Sequence, residues 1–242
     1  MNRNEVPRRR RAARRCVGLG MCLLLLAMGW AQPGWGQDRI RLDDHTKTYG
    51  ENDLIPGWDS TKISPIFGSG DKFYFRFVHK SAEEHYLHVA SGDNNSFGIG
   101  SERTFKLPAY PILEWEWKIT KMPKGGDVRV KSKDDQAGSV CVIVDPGLTY
   151  DSSLCYLWEN DGPVNQELTS TKSDKSKYII LRTPKTDQLG KWYKEERNIY
   201  EDYKRLFKRE PDDDAVIGVQ IDSDDTETSA EAFYRNFILR KR

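Results

Sequence analysis

The chain has 242 residues, of which 31% are charged and 37% hydrophobic, and its formal net charge is +1. The first 36 residues hold seven of the 38 basic and one of the 37 acidic residues, which leaves 31 basic and 36 acidic residues, a net charge of −5. An acidic body of this length suits one large β domain. It argues against nucleic acid as a partner, since phosphate binding needs a clustered positive surface.

The N-terminus has the layout of a secretory leader. Six arginines lie within residues 8–15, and an apolar segment at 16–30 follows directly. A positive end followed by a segment that can enter the membrane is typical of a signal peptide. We expect residues 1–36 to be that signal peptide and the protein to be periplasmic or extracellular, touching a membrane only through the leader before cleavage. An uncleaved signal anchor is the alternative, although a membrane span needs about 20 apolar residues.

Residues 37–70 are rich in Asp, Gly and Pro and weakly periodic. They predict an N-terminal arm with one short strand at 57–63. Period-two alternation of apolar and polar residues then begins, so we predict a β-sandwich domain over 71–242. Strands are predicted at 73–78, 86–90, 97–100, 112–120, 139–144, 154–159, 177–182, 215–222 and 232–239.

One helix is predicted after Asn198, which can cap its start. Ile199, Tyr203, Leu206 and Phe207 then share one helical face. About ten short strands and a single helix predict an all-β fold with one accessory helix. We expect an antiparallel two-sheet β-sandwich, jelly-roll-like in arrangement.

Two cysteines follow the leader, Cys141 and Cys155, each within a predicted strand. The segment between the strands contains Pro146 and Gly147 and predicts a hairpin loop, which places the cysteines roughly opposite each other. In an oxidising compartment they can form a disulfide. The alternative is two reduced cysteines that act as small buried apolar residues.

Tryptophans are the first candidates for a ligand-binding surface. Trp115 and Trp117 share one strand face and can form a platform on which sugar rings stack. Their aliphatic neighbours on that face favour the core instead, and the same choice applies to Trp158. Trp58 and Trp192 lie in loop-like or edge positions and are better candidates for exposed stacking, although structural packing is the favoured alternative for them too.

Carboxylates are the candidates for catalysis, because glycoside cleavage needs two placed acids. Glu114 and Glu116 lie two residues apart on one strand face, about 7 Å from each other by strand rise. Asp135, in an acidic loop, is a third candidate. The alternative for the two glutamates is an ordinary solvent-exposed strand face.

A second acidic loop predicts a calcium site, the one cofactor that the sequence suggests. Oxygen-bearing side chains at Asp222, Asp224 and Thr226 recur at every second residue, as in many calcium loops. Glu227 stands where an EF-hand loop needs glycine, so an EF-hand is excluded. A solvated turn is the alternative.

The histidines give no zinc motif. His85 and His88 are three residues apart in a predicted strand and therefore face opposite sides. A zinc site needs convergent ligands, and the spacing of His45 and His79 predicts no convergence with either.

Several fragments taken in order resemble a known family. They are Trp115-Glu-Trp117-Lys, Asp134-Asp135, Tyr156-Leu-Trp158, Trp192 with Glu196-Arg197-Asn198, Asp202-Tyr203, Asp222-Ser-Asp224-Asp225-Thr226 and Tyr234-Arg-Asn-Phe-Ile. The ordered set resembles the bacterial domain-of-unknown-function family 3047 over residues 73–239. This chain has Arg235-Asn236 and Phe207-Lys208 where the family usually has Gly-Asp and Phe-Gly. The resemblance implies an exported β-sandwich domain and carries no established activity.

Three functional classes are consistent with these features. The favoured one is a non-catalytic binding module for a saccharide or cell-envelope component, since no decisive catalytic motif stands out. A carbohydrate-active hydrolase that uses paired carboxylates such as Glu116 and Asp135 is the second class, and whether the protein is an enzyme stays open. The third is a structural envelope protein without a small ligand. If Trp115 and Trp117 are buried, the aromatic argument weakens and the acidic loops become more important.

Overall fold

A computed structural model describes residues 38–59, 73–92, 95–146, 152–211 and 214–242. The signal peptide predicted for 1–36, most of the strand predicted at 57–63 and the middle of the loop between the two cysteines lie outside these residues. The described strands are β1 (Arg39–Arg41), β2 (Trp58–Asp59), β3 (Phe73–His79), β4 (His85–Ser91), β5 (Ser96–Ser101), β6 (Phe105–Lys106), β7 (Ile112–Lys121), β8 (Gly138–Val144), β9 (Ser152–Trp158), β10 (Glu167–Thr169), β11 (Ser176–Arg182), β12 (Tyr193–Asn198), β13 (Asp214–Asp222) and β14 (Ala230–Arg240). They are accompanied by one 3-10 turn, Lys131–Lys133, and one α-helix, α1 (Ile199–Phe207).

The strands form two sheets. The six-stranded sheet has the order β12-β7-β14-β4-β3, with β1 also paired to β14, and the eight-stranded sheet has the order β10-β11-β9-β8-β13-β5-β2, with β6 also paired to β13. The predicted all-β, jelly-roll-like two-sheet sandwich with one accessory helix is confirmed. One pairing departs from the antiparallel prediction, because β11 runs parallel to β9. Parallel neighbours need a crossover connection, and the segment 159–175 supplies it.

The main core lies between the sheets and is rich in aromatic rings. Trp115 and Trp117 of β7 extend from the six-stranded sheet, and Tyr156 and Trp158 of β9 meet them from the eight-stranded sheet. The rings of Trp117 and Trp158 are 5.7 Å apart and those of Trp115 and Tyr156 are 5.3 Å apart, centroid to centroid. The inward face of each strand therefore follows its period-two pattern.

A smaller apolar cluster covers the other face of the eight-stranded sheet. It contains Val128, Cys141, Ile143, Cys155, Leu157 and Val216. Every residue of β8 and β9 is consequently buried. Burial on both faces explains why these two strands are apolar almost throughout instead of alternating.

The two cysteines of this smaller cluster lie directly opposite each other on β8 and β9, and a disulfide joins Cys141 to Cys155. Closing a loop of 14 residues stabilises a fold by about 3 kcal/mol in the chain-entropy model. The bond fixes the register of the two central strands.

The accessory helix follows its predicted capping chemistry. Asn198 accepts a hydrogen bond from the backbone N–H of Glu201 at 3.1 Å through its side-chain oxygen. Lys208 ends the helix in the left-handed conformation and donates its N–H to the Lys204 carbonyl. The helical residues that the structure describes include no stretch long and apolar enough to span a bilayer.

The segment after residue 37 contributes a strand that the sequence did not predict. Ile40 of β1 pairs with Leu239 of β14, and Ile40 and Leu42 are buried in the main core. Three residues are too few to show a period-two pattern, which is why this pairing is visible only in the structure.

Candidate functional site

Four of the five candidate tryptophans are core residues. Trp115, Trp117 and Trp158 have no exposed surface, and Trp58 is 2% exposed. For Trp58 the packing alternative holds, because its indole N–H donates to the Leu42 carbonyl at 2.8 Å and its ring packs on core phenylalanines. None of these four can stack on a saccharide in this fold.

Trp192, the fifth candidate, is half-buried and lies just before β12 at the outer face of the six-stranded sheet. Other half-buried rings lie on the same face, which points away from the main core. We call this set the aromatic ladder, and its members are Tyr74, Tyr86, His88, Trp192 and Phe233.

Phe233 is at the centre of the aromatic ladder. On one side, His88 of β4 stacks on it with a centroid distance of 4.2 Å and an interplanar angle of 9°. Lys118 of β7 pairs with Phe233 on the other side, and its Nζ is 4.0 Å from the ring centroid. Because β14 lies between β4 and β7, a ring and a cation flank Phe233.

The ladder continues in both directions from Phe233. Towards β12, the Lys118 Nζ is 5.2 Å and the Arg235 guanidinium 4.1 Å from the Trp192 ring centroid. Towards β3, the ring of Tyr74 meets His88 edge-on at 4.8 Å. Three rings therefore follow one another from β3 to β14, and two cations lie against the rings of Phe233 and Trp192, which adds cation–π attraction at that end.

Carboxylates complete this face. Glu231 accepts hydrogen bonds from His88, at 2.8 Å, and from Thr120. Burial opposes the charge of Glu231, but these two hydrogen bonds outweigh it and lower the pKa of the carboxyl. Glu116 accepts from the Arg235 guanidinium at 2.8 Å. The face thus presents hydrogen-bond donors and acceptors beside apolar ring surfaces.

The first two catalytic candidates, Glu114 and Glu116, lie at the end of this face in a cavity of about 250 Å³. The alternative of an exposed strand face is wrong for Glu114, which is 6% exposed. Its carboxylate is bound by Arg39, Lys194 and Arg240 at 2.9–3.2 Å.

Glycoside cleavage by these two residues requires that one of the carboxyl groups is protonated, since one acid must donate a proton. Burial opposes the charge of Glu114, but hydrogen bonds from Lys194 and Arg240 outweigh it and hold the pKa below its ordinary value. Glu116 is bound by Arg235 and by the Asn236 side chain. Both carboxylates serve as acceptors in ion pairs, and the lowered pKa of Glu114 disfavours a role as the proton donor.

Asp135, the third catalytic candidate, belongs to the other acidic loop. It has no exposed surface and accepts from the backbone N–H groups of Asp225 and Thr226 at 3.1 and 2.7 Å. One carboxylate oxygen from each of Asp135, Asp222 and Asp224 lies within 4.8 Å of the others. We call this trio the acidic cluster. Asp135 is thus a neighbour of the predicted calcium loop, and among the described residues no contact joins it to Glu116.

The acidic cluster carries carboxylate oxygens without hydrogen-bond donors. Asp222 is 5% exposed, and its Oδ1 has no hydrogen-bond partner, as is also the case for Oδ1 of Asp224. Burial, and then the charge of Asp224, raise the pKa of Asp222 well above its ordinary value. Burial also raises the pKa of Asp134 to about 7. Buried carboxylates of this kind need a proton or a cation.

Thr226, the third predicted calcium ligand, has a different position in the structure. Its hydroxyl donates to Asp135 Oδ2, so it holds that carboxylate in place. Lys172 pairs with Asp225 at the rim and lowers the pKa of Asp134 and Asp222. The donor set is three carboxylates, where calcium takes six to eight oxygens. A calcium ion therefore needs waters as further ligands, and calcium binding stays a prediction.

Three histidines converge elsewhere, where the sequence predicted none. His45, His79 and His85 lie with their ring centroids 5.8–6.3 Å apart. The prediction failed because convergence depends on the pairing of His79 with His85 across β3 and β4 and on the return of residue 45 to the same end of the sheet.

Residues 58–238 match the model of a family described as a protein of unknown function, DUF3047. This chain belongs to the DUF3047 family. The matched DUF3047 region runs from β2 to β14 and includes the aromatic ladder and the acidic cluster. His45 and β1 precede it.

The DUF3047 fold is similar to several solved structures of low sequence identity. One is the family 11 carbohydrate-binding module from Clostridium thermocellum in complex with a β-1,3-1,4-mixed-linked tetrasaccharide, with 11% identity, 80% of this chain and 94% of that chain covered, and a TM-score of 0.39. The xyloglucanase domain of NopAA from Sinorhizobium fredii in complex with cellobiose has 11% identity, coverages of 80% and 98% and a TM-score of 0.43. The CBM27-1 module of Caldicellulosiruptor saccharolyticus in complex with mannohexaose has 12% identity, coverages of 84% and 97% and a TM-score of 0.38. A search of curated protein sequences finds no match to this DUF3047 chain.

Most of the aromatic ladder was missed in the sequence, although a signal was present. In β3, Tyr74 alternates with the inward-facing Phe73, Phe75 and Phe77, so it must face outwards. Phe233 likewise alternates with the buried Ala232 and Tyr234. Aromatic residues on both faces of one strand therefore indicate that its outward face forms a partly apolar surface and not only a hydrated one.

Proposed function

We propose that this protein binds saccharides on the outer face of the six-stranded sheet, with the aromatic ladder as the binding surface. The observation that carries the proposal is that five rings are half-buried on a face against which no other sheet packs within the described residues, with cations and carboxylates beside them. Large aromatic surfaces left partly in water are commonly ligand or partner surfaces.

The chemistry of the face suits sugars better than purely apolar ligands. A pyranose ring has an apolar C–H face that packs on aromatic rings and hydroxyls that need both donors and acceptors. Trp192 and Tyr86, whose centroids are 6.4 Å apart, supply ring surface. Glu116 and Glu231 supply acceptors, and Arg235 supplies donors.

The cations of the face can also serve acidic saccharides. Glu116 pairs with Arg235, and the charge of Lys118 helps to lower the pKa of Glu231, which accepts a hydrogen bond from His88. The Lys118 Nζ lies against the rings of Phe233 and Trp192. It can donate a hydrogen bond to a uronate or sulfate group as well as to a sugar hydroxyl. Neutral and acidic polymers with the same backbone linkage are therefore the informative ligands to compare.

The test is binding of a saccharide panel by calorimetry, with Trp192→Ala and Phe233→Ala as variants. We expect each substitution to weaken binding by about fivefold, since one aromatic contact contributes about 1 kcal/mol. Tyr200→Ala is the matched control, because Tyr200 is a half-buried surface aromatic of α1 that contacts Glu210 rather than this face.

Two outcomes contradict the proposal. Unchanged affinity in both ladder variants, with thermal unfolding at the wild-type temperature, places the ligand elsewhere. Absence of binding across neutral and acidic saccharides favours the structural envelope class. The catalytic alternative has its own test. If the protein turns over a saccharide and this turnover survives Glu114→Gln and Glu116→Gln, these two carboxylates have no catalytic role.

A further inference from the structure

A second cavity, of about 210 Å³, lies where the segment after β1 meets the β3–β4 hairpin. His79 and His85 face each other across that hairpin, and His45 approaches from the segment between β1 and β2. Asp43 and Arg41 also line the cavity. Three imidazoles and a carboxylate around one cavity are the donor types that zinc and related transition metals prefer.

Three polar atoms of this cavity make no hydrogen bond, and only the first of them has a longer ionic contact, with Arg41 at 3.6 Å. They are Oδ1 of Asp43, Nδ1 of His45 and Nδ1 of His79. Asp43 is 6% exposed, and its other oxygen is held by the backbone N–H of Asn236. Unpartnered buried polar atoms are costly and call for an explanation. Here the three occur together, on side chains that can all ligate one ion.

Hydrogen bonds identify which ring nitrogen carries the lone pair in two of the three imidazoles. His45 Nε2 is 3.2 Å from the Val78 carbonyl oxygen, and His85 Nδ1 is 2.8 Å from that of Ala82. A carbonyl oxygen only accepts, so those nitrogens carry the protons. In the neutral ring the lone pair is then on His45 Nδ1 and His85 Nε2. Anchoring of the far nitrogen by a backbone carbonyl is the usual way in which proteins orient metal-ligating histidines.

The three rings are slightly farther apart than rings that share a single bound ion. Imidazoles that share one tetrahedral zinc have ring centroids about 5 Å apart, from a Zn–N bond of about 2 Å. The observed centroid distances are 5.8 Å for His45 and His79, 6.2 Å for His45 and His85 and 6.3 Å for His79 and His85. Binding therefore requires the rings to close by about 1 Å.

We propose that His45, His79, His85 and Asp43 form a binding site for one transition-metal dication, with Zn²⁺ as the expected ion. Arg41 is the positive group that already contacts these side chains. Its guanidinium is 3.2 Å from His85 Nε2 and 3.6 Å from Asp43 Oδ1. Metal binding displaces this guanidinium, which keeps a partner in the side-chain oxygen of Asn236 at 3.1 Å.

Calorimetric titration of the full chain with Zn²⁺ tests the site. We expect one tight zinc per chain, and His45→Phe and His79→Phe should each weaken it by about tenfold or more. Phenylalanine keeps a ring in the cavity and removes the ligating nitrogen. His88→Phe is the matched control, since His88 lies on the aromatic ladder and pairs with Glu231.

Arg41→Gln should change the zinc affinity in the opposite direction. Removal of the guanidinium frees His85 Nε2 and removes a repelling positive charge, so zinc should bind more tightly than in the wild type. Asp222→Asn should leave the affinity unchanged, because the acidic cluster is a separate set of ligands. Zinc binding that survives the His45→Phe, His79→Phe double variant overturns the site, as does an absence of tight binding in a wild-type chain that unfolds cooperatively.

Discussion

Buried acidic side chains of this protein differ in what surrounds their charge. Asp202 is buried, yet it accepts hydrogen bonds from the Arg197 guanidinium at 2.7–2.9 Å and from the Tyr156 hydroxyl at 2.8 Å. Glu159 is fully buried, and its Oε2 has no hydrogen-bond partner. Burial raises the pKa of Glu159 to about 8. The charge of Asp202 is therefore compensated by a guanidinium and that of Glu159 is not, although both look like ordinary charged residues in the sequence.

Glu159 makes stability depend on pH in a predictable direction. Its pKa is about 8 in the fold and near 4.3 when unfolded, so between these values the native state binds more protons. The contribution of Glu159 to stability is therefore most favourable below about pH 4.3 and falls as the pH rises from there towards 8. Glu159→Gln is permanently neutral and keeps an acceptor for the Asn160 N–H. We expect its advantage over the wild type in free energy of unfolding to grow by about 3 kcal/mol between pH 5 and pH 8.

Urea unfolding of both proteins across this pH range measures the difference. Glu167→Gln is a suitable control, since Glu167 is exposed on β10. A constant difference between Glu159→Gln and wild type at all pH values would show that the carboxyl is ionised in the fold.

At the level of elements, the carboxylates of the acidic cluster come together where two loops meet. The acidic cluster joins the loop that follows the 3-10 turn to the loop that follows β13. The Asp222 N–H donates to the Gln136 carbonyl at 3.1 Å, and Asp135 accepts from the amides of Asp225 and Thr226. Residues nearly ninety positions apart thus share one carboxylate site, which no spacing rule within a single loop could have predicted.

Calcium binding at this junction should be visible in thermal unfolding. A ligand at 100 times its Kd stabilises the native state by about 2.7 kcal/mol, which for a domain of this size raises Tm by about 5 °C or more. We expect added calcium to raise the wild-type Tm and a chelator to reverse the effect. Asp222→Asn should abolish the shift and should itself raise the Tm without calcium, because it removes the cost of burying a carboxyl group that is ionised in the unfolded chain.

Asp174→Asn is the control for this experiment, since it removes the same charge from an exposed loop position. A Tm that is insensitive to calcium and chelator in the wild type, with Asp222→Asn still stabilising, would identify the cluster as a protonated carboxylate group without a metal.

For the whole molecule, export is the prediction that sets the environment of every site. We propose that residues 1–36 direct the chain to the periplasm or the exterior and are then removed. The expected result in a Gram-negative host is a periplasmic protein whose intact mass lacks the leader, with two cysteines that do not react with a thiol reagent after denaturation. The Cys141–Cys155 disulfide is consistent with an oxidising compartment.

Replacement of Leu23–Leu26 by four serines is the matched variant, because it removes the apolar centre of the leader and leaves its arginines. It should keep the chain in the cytoplasm with its leader attached and with all four cysteine thiols reactive. An exported protein with an intact N-terminus would contradict cleavage and support the signal anchor.

The sequence by itself determined the period-two strands, the single capped helix and the inward direction of Trp115 and Trp117. These depend on local spacing, which side-chain alternation and capping translate directly into structure. Only the tertiary structure decided that Trp58 is buried, that Glu114 is ion-paired, that Asp135 joins Asp222 and that three histidines meet at one cavity. Each of these depends on contacts between residues far apart in the chain, and strand order and loop packing determine which distant residues meet.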